Sequence, residues 1–271
     1  MRVALCQPDV TDNIGYNIDN ARGFLLRAHD EGADVAILPE MFTIEFNLRK
    51  LPAAAQPEDD SPAIDMLRDT AAATGMTIIG GSLPELHGEK IYNTCYTFDG
   101  EGTLLGKYRK AHLFDVDIPG MRVTESAAVS PGNGYPLIID KPMRIGIQIC
   151  YDIRFPEWST LIMKENVDLM AVPAVFSSST GPRHFELLLR CRAVDNLCFV
   201  AAAAPAKSRY SYGHSMLISP DGVVLADLGE DEGMCTVELP MEEIALLRSS
   251  IPVHKARRED LYDIVKKLPA E

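Results

Sequence analysis

Three residues of unlike chemistry each stand at the end of a strand-like segment. Glu40 closes Val35-Ala-Ile-Leu-Pro-Glu40, and Lys110 closes Thr103-Leu-Leu-Gly-Lys-Tyr-Arg-Lys110. Cys150 ends Met143-Arg-Ile-Gly-Ile-Gln-Ile149 and hands over to Tyr151-Asp-Ile-Arg-Phe-Pro-Glu157. A thiol becomes a competent nucleophile when it gives up its proton, and a neighbouring carboxylate can take it while an ammonium stabilises the anion. After attack on an amide carbonyl, Glu40 could return that proton to the departing nitrogen and then activate water against the thioester. Lys110 suits the oxyanion, with the backbone N–H of Tyr151 as a second donor; one such donor is typically worth about 3–4 kcal/mol. Taken singly, each residue has a plainer reading. Cys150 could be a small buried hydrophobe, Glu40 an exposed carboxylate, and Lys110 one cation in a basic turn with Lys107 and Arg109. Open α/β sheets keep their chemistry at strand carboxyl ends, which is where all three fall.

Bringing three distant strand ends together sets demands on the fold. The first half reads as a strand at 2–7, a helix at 17–32, a strand at 34–39, a helix at 62–74, and strands near 77–82, 91–98 and 103–110. The second half reads as a strand at 143–150, a helix at 156–165, a strand at 167–173, a helix at 182–196, and strands near 198–204, 213–219 and 223–228. The order is βαβαβββ both times. Local wording repeats as well: Asp34-Val-Ala-Ile-Leu-Pro39 answers Asp168-Leu-Met-Ala-Val-Pro173. Two matched halves predict two sheets packed face to face, each covered by its own helices. The expected fold is therefore α/β, a four-layer αββα sandwich with an internal pseudo-two-fold repeat, in one domain over residues 1–271.

Composition narrows the function classes. At 271 residues and 46% hydrophobic, the chain can bury a large core. A net charge of −13 argues against nucleic acid as a partner, and it obliges any anionic substrate to find a local cationic anchor. The six cysteines lack paired spacing, which is the usage of a reducing compartment. The amino terminus begins directly as a strand, and no apolar stretch approaches the roughly 20 residues of a membrane helix. A cytoplasmic protein without membrane contact is expected. His112, His184 and His214 stand singly, Gly213-His-Ser215 lacks the second glycine of a serine-nucleophile elbow, and Gly80-Gly81 opens no phosphate loop. No metal or organic cofactor is expected.

The local wording around the trio resembles a known family. Leu38-Pro-Glu40-Met-Phe, Tyr108-Arg-Lys110-Ala-His-Leu-Phe and Ile149-Cys150-Tyr-Asp-Ile-Arg-Phe-Pro-Glu157 resemble, in order and spacing, the three signatures of the nitrilase superfamily of carbon–nitrogen hydrolases. Thr180-Gly-Pro-Arg-His-Phe-Glu186, Arg192-Ala-Val-Asp-Asn196 and Tyr212-Gly-His-Ser215 look most like its omega-amidase branch, with the deaminated-glutathione amidase branch next. The resemblance implies a Glu40–Lys110–Cys150 triad. It adds Glu125, matching a second glutamate that orients the lysine and the departing amine. It implies the αββα sandwich, a homodimer or higher even-numbered assembly, and a tail (about 251–271) reaching across the dimer.

Omega-amidases hydrolyse the terminal amide of small ketoacid amides such as 2-oxoglutaramate or 2-oxosuccinamate, giving a dicarboxylate and ammonia. The carboxylate of such a substrate needs a cationic, preferably bidentate partner. Arg154 is the first candidate and Arg183 the second; the structural alternative for Arg154 is a pair with Asp152 or Glu157. The chain departs from the branch in Met41-Phe-Thr-Ile-Glu-Phe-Asn47, which lacks a tyrosine and gains Glu45. It departs again in Ala201-Ala-Ala-Ala-Pro205, which lacks a hydroxyl, and at Arg183, where a small residue is usual. Deaminated-glutathione-type amides, other aliphatic amides and carbamoyl compounds remain as alternatives. The non-enzyme reading is a catalytically silent scaffold or a redox-sensing binding module.

Overall fold

The computed structural model describes residues 1–267. Its first half runs β1 (Arg2–Gln7), α1 (Ile14–Asp30), β2 (Val35–Ile37), α2 (Leu51–Ala54), α3 (Pro62–Thr74), β3 (Thr77–Ile79), β4 (Leu83–His87), β5 (Lys90–Phe98) and β6 (Leu104–Arg109). A two-stranded ribbon follows, β7 (Asp115–Ile118) and β8 (Met121–Thr124). The second half runs β9 (Leu137–Ile139), β10 (Ile145–Ile147), α4 (Pro156–Met163), β11 (Leu169–Pro173), α5 (Gly181–Asn196), β12 (Phe199–Ala203), β13 (Met216–Ile218) and β14 (Val224–Asp227). β15 (Gly233–Glu238) and α6 (Glu242–Ser250) close it.

The expected repeat is present in the connectivity. β1, β2 and β3 are parallel, and β3 then pairs antiparallel with β5, and β5 with β6. β10, β11 and β12 are likewise parallel, followed by antiparallel β13 and β14. The first sheet carries one insertion, β4, which the sequence reading did not separate from its neighbours. Each sheet also gains an antiparallel edge: β15 on β1, and β9 on β10.

Side-chain alternation assigns the faces. Val3 and Leu5 of β1 join Val35 and Ile37 of β2 in one buried cluster with Ile145, Ile147 and Leu169 of the second sheet. Ala4 and Cys6 point the other way, into a cluster with Phe24 and Leu25 of α1 and Leu67 of α3. A period of two sends successive side chains to opposite faces, so the sheets bury both. Each fully buried Leu or Ile here contributes roughly 1.5–3 kcal/mol. Local signals fix the helix ends. Asn13 caps α1 by accepting the Tyr16 N–H, which starts that helix earlier than its apolar stripe suggested. Pro62 opens α3, and Gly75 ends it at φ 73°.

At the edge of the first sheet, Glu85 is a buried carboxylate that fastens β4 to β5 and β6. Arg109 donates to both its oxygens (2.6 and 2.8 Å), with Thr94 at 2.6 Å and Lys107 at 2.9 Å. Burial, the largest influence, pushes the carboxyl up, but the donors from Arg109, Thr94 and Lys107 together outweigh it and hold the group at about 2. A carboxylate depressed from 4.5 contributes stability above that value and loses it as pH falls toward 2. Glu85→Gln is therefore expected to lower the unfolding free energy measured with urea at pH 7 by on the order of 2 kcal/mol, allowing for partner side chains that reach solvent. The deficit should shrink below pH 4.5; a penalty that persists undiminished in acid would contradict the assignment.

Among the described residues, no helix is long and apolar enough to cross a membrane. The tail lies back on its own chain over the described range. Lys164 pairs with Asp263, Lys266 pairs with Glu165 at 2.8 Å, and the Tyr135 hydroxyl donates to the Lys267 carbonyl. Residues 268–271, part of the tail expected at a subunit boundary, lie outside the described residues.

Candidate active site

Glu40 does not lie in a strand, because β2 stops at Ile37. It sits in a turn held by the segment after β3. Leu38 N–H donates to the Ile79 carbonyl, Ser82 N–H to the Pro39 carbonyl, and Phe42 N–H to the Ser82 carbonyl. Ser82 Oγ accepts from Met41 N–H at 3.0 Å. This close approach explains Gly81: at φ 58°, a Cβ there would stand 2.1 Å from the Pro39 carbonyl oxygen. The glycine pair that opens no phosphate loop instead makes room for the Glu40 turn.

Lys110 follows the last residue of β6, and its N–H donates to the Asn93 carbonyl on the adjacent β5. Cys150 corrects the sequence reading in detail. Strand β10 ends at Ile147, and Cys150 begins a 3-10 turn, Cys150–Arg154, with φ 45°. Asp152 secures that turn and ties it to the lysine segment. One carboxylate oxygen accepts from His112 N–H and lies 2.7 Å from His112 Nδ1; the other accepts from Ile149 N–H and the Tyr108 hydroxyl. His112 thus serves the scaffold, as His214 does by pairing with Asp227.

The three segments meet. Lys110 Nζ lies 2.9 Å from Glu40 Oε1 and 2.9 Å from Glu125 Oε2. Glu125 opens a short 3-10 turn after β8 and also accepts the Phe114 N–H at 2.6 Å. Glu40 Oε2 accepts the Val175 N–H at 2.7 Å, and the Cys150 thiol donates to the Val175 carbonyl at 3.7 Å. The two residues beyond β11 therefore bring one backbone unit between the sulfur and the carboxylate. Glu40, Lys110 and Cys150 all line one cavity of about 370 Å³.

Two carboxylates and one ammonium, all buried, set the electrostatics. Burial alone would lower the Lys110 ammonium, but attraction to Glu125 and Glu40 prevails and holds it well above the ordinary lysine range. Burial and the Glu40 charge raise Glu125 against the pull of Lys110. Burial, then Glu40, push the Cys150 thiol well up, and Lys110 only partly opposes them. The resting sulfur is thus a protonated thiol beside a carboxylate, not the preformed thiolate that an adjacent ammonium alone would favour. Its proton has to move as it attacks.

Arg154 lines the same cavity, between the rings of Phe176 (5.3 Å) and Tyr151 (5.7 Å). The proposed partners Asp152 and Glu157 do not engage it, and among the described residues no carboxylate lies within 4.0 Å of it. Arg154 Nη2 instead donates to His184 Nδ1 at 3.2 Å. Burial, with the charges of Arg154 and Arg183, lowers the His184 imidazolium, which keeps that nitrogen an acceptor. Arg183 is different. It is exposed, donates to the Ser179 carbonyl, and lines an adjoining depression rather than the cavity holding Cys150. Helix geometry explains the split, since adjacent residues Arg183 and His184 on α5 diverge by about 100°.

The departures in sequence mostly miss the cavity. Ala201–Ala203 are buried within β12, and Glu45 borders a separate small depression, while its neighbour Phe46 lines the cavity wall. Sequence reasoning missed Asn93, whose side chain reaches Glu40 at 2.8 Å. The available signal was an amide within a strand-like stretch, but Thr94 and Thr97 on the same strand blunt it. It also missed the aromatic wall of Phe46, Phe114 and Phe176, which nothing local distinguishes from core.

Comparison with known proteins bears on this arrangement. The Carbon-nitrogen hydrolase family model matches residues 2–249. The omega-amidase NIT2 of Xenopus tropicalis is 38% identical over 271 residues, covering 98% of each chain. The crystal structure of Saccharomyces cerevisiae Nit3, a member of branch 10 of the nitrilase superfamily, superimposes with a TM-score of 0.86 at 34% identity, over 95% of this chain and 96% of that one. A mutant of the amidase from Nesterenkonia sp. AN1, 26% identical with a TM-score of 0.79 over 94% of this chain and 99% of its own, shows the result of Michael addition of acrylamide at its active-site cysteine.

Proposed function

Because this chain belongs to the carbon–nitrogen hydrolase family and is an amide-cleaving enzyme of the nitrilase superfamily, we propose that it is an omega-amidase. Its substrate is a short linear amide bearing a carboxylate at the far end, of the 2-oxoglutaramate or 2-oxosuccinamate kind, and its products are a dicarboxylate and ammonia. One observation carries this choice among amides: Arg154, a guanidinium with no carboxylate partner among the described residues, shares the cavity of Cys150.

Glu40 takes the thiol proton as Sγ forms a bond to the amide carbon. The carbonyl oxygen becomes an oxyanion facing Lys110 and the Tyr151 N–H. Glu40 then returns the proton to nitrogen, the C–N bond breaks, and ammonia leaves an acyl thioester on Cys150. Water attacks the thioester while giving its proton to Glu40. That proton passes to the departing sulfur, which restores the thiol. Glu125, buried behind the cavity wall, keeps Lys110 aimed. A thiol that rests protonated suits this sequence, since the same proton serves attack and departure.

The remaining parts of the reading are a single domain, a homodimer and a cytoplasmic setting. Leu187 and Val194 on α5, with Val223 and Leu225 nearby, form an exposed apolar face that supports an assembly of two copies. Six free cysteines, four of them buried, support a reducing compartment.

The substrate class is tested by comparing kcat/KM for carboxylate-bearing and neutral amides in wild type and Arg154→Met. Losing a bidentate charged contact should raise KM for the anionic amides about 10- to 100-fold, with neutral amides little changed. An equal loss for both classes would make Arg154 a structural residue and remove the case for an anionic substrate.

A further inference from the structure

Asn93 touches three of the four groups in the proposed site, yet it belongs to none of the signature segments. Its Nδ2 donates to Glu40 Oε1 at 2.8 Å and lies 3.5 Å from Glu125 Oε1. Its backbone carbonyl accepts the Lys110 N–H at 2.9 Å. The side chain is fully buried. It stands on β5, one residue before Thr94, which belongs to the Glu85 anchor, so the strand presents the amide from a fixed base.

Counting lone pairs shows what the amide does. An ionised carboxylate offers about four acceptor positions. On Glu40, Oε1 serves both Lys110 and Asn93, while Oε2 serves only the Val175 N–H. The acceptor position left open is on Oε2, the oxygen whose donor residue, Val175, also receives the Cys150 thiol. Without Asn93, Oε1 would have an open position too, and the carboxylate could rotate between two equivalent protonation sites.

The other end of the amide argues that this contact is not there for stability. Among the described residues, Asn93 Oδ1 is buried with no hydrogen-bond partner. A buried acceptor without a donor is a net cost to folding, and a leucine of similar size would avoid it. An aspartate would fit the same space but bring a further negative charge against Glu40 and Glu125. An amide is the side chain of this shape that donates to Glu40 without adding charge.

We propose that Asn93 is a positioning residue that occupies Glu40 Oε1 and so directs the thiol proton of Cys150 to Oε2. The inference rests on the amidase reading above, and its test separates the two. Wild type and Asn93→Leu are compared, using whichever carboxylate amide wild type turns over, for kcat, KM, the pH profile of kcat/KM and thermal unfolding. The expected result is a 10- to 100-fold fall in kcat, KM within threefold, and a folded protein whose unfolding temperature stays close to that of wild type, since the lost donor to Glu40 and the removed unpaired Oδ1 offset one another. The acid limb of the profile should move to higher pH, because a carboxylate that loses a donor holds a proton more tightly. Asn93→Asp should be slower than Asn93→Leu at pH 8, with the gap narrowing as pH falls. A kcat within threefold of wild type, an unmoved acid limb, or a rate loss matched by loss of folded protein would overturn the proposal. An inactive wild type would instead strike the amidase reading.

Discussion

Cys150→Ala is expected to reduce ammonia release by roughly 10⁴-fold or more, to the limit of detection, while the protein stays folded. The size of the loss follows from the division of labour in the site. In the proposed mechanism Glu40 and Lys110 act on a bond that only the sulfur makes, so their contributions should vanish with it instead of persisting as a partial rate. The fold should tolerate the change. Cys150 is 6% exposed at the cavity wall, and alanine loses only the sulfur's contacts, a cost of about 1 kcal/mol. Alanine also meets the same demand as cysteine at φ 45°. Acid-quenched wild type in the steady state should carry the mass of the acyl group on the peptide containing Cys150, and the variant should carry none. Equal ammonia release by the two proteins would end the claim that this sulfur is the nucleophile.

The parts of this site legible in the sequence are those set by local chemistry. Glu40 and Cys150 each follow a short apolar run, Lys110 closes a mixed strand-like segment, and a strand ends where a polar side chain must reach solvent or a site. The helix at 62–74 was readable to the residue because proline starts it and glycine stops it. The strand predicted at 143–150 ended early because the backbone turns to bring Cys150 toward Val175, a demand from 25 residues away. β15 was not legible at all. Its half-buried residues carry little pattern, and it exists because β1, over 220 residues earlier, offers an open edge. The same limit applies to Arg154. Two carboxylates stand close to it in sequence, but Asp152 is consumed by His112, Tyr108 and Ile149, which only the folded chain reveals.

Charge balance links the proposed catalytic role of these groups to the stability of the fold. Glu40, Lys110 and Glu125 are each no more than 1% exposed, so none can be relieved by water if a partner is lost. A buried ion pair contributes modestly against an apolar replacement of the whole, yet removing one member leaves an uncompensated charge. The arrangement therefore makes the central cation the most sensitive member, since two carboxylates depend on it and each lies 2.9 Å away.

Lys110→Met should accordingly lose both activity and stability, by separable routes. Catalysis loses the oxyanion partner and the cation that holds Glu40 in place, for a fall in kcat of about 10³-fold or more. Stability at pH 7 should drop by roughly 3–5 kcal/mol, because two adjacent buried carboxylates cannot both ionise without the ammonium. The pH dependence identifies the cause. In the variant, a carboxyl raised above its unfolded value binds a proton that the unfolded chain has released, so stability falls as pH rises from about 4.5 through the raised value. The deficit measured by urea unfolding should therefore be largest at neutral pH and shrink on acidification. Adding Glu125→Gln to Lys110→Met removes one of the two charges and should recover much of the lost stability without recovering ammonia release. If Lys110→Met keeps activity within tenfold of wild type, the lysine is no part of the catalytic machinery. If the double substitution is no more stable than the single one, the carboxylates are not opposed in the way their distances from Lys110 imply.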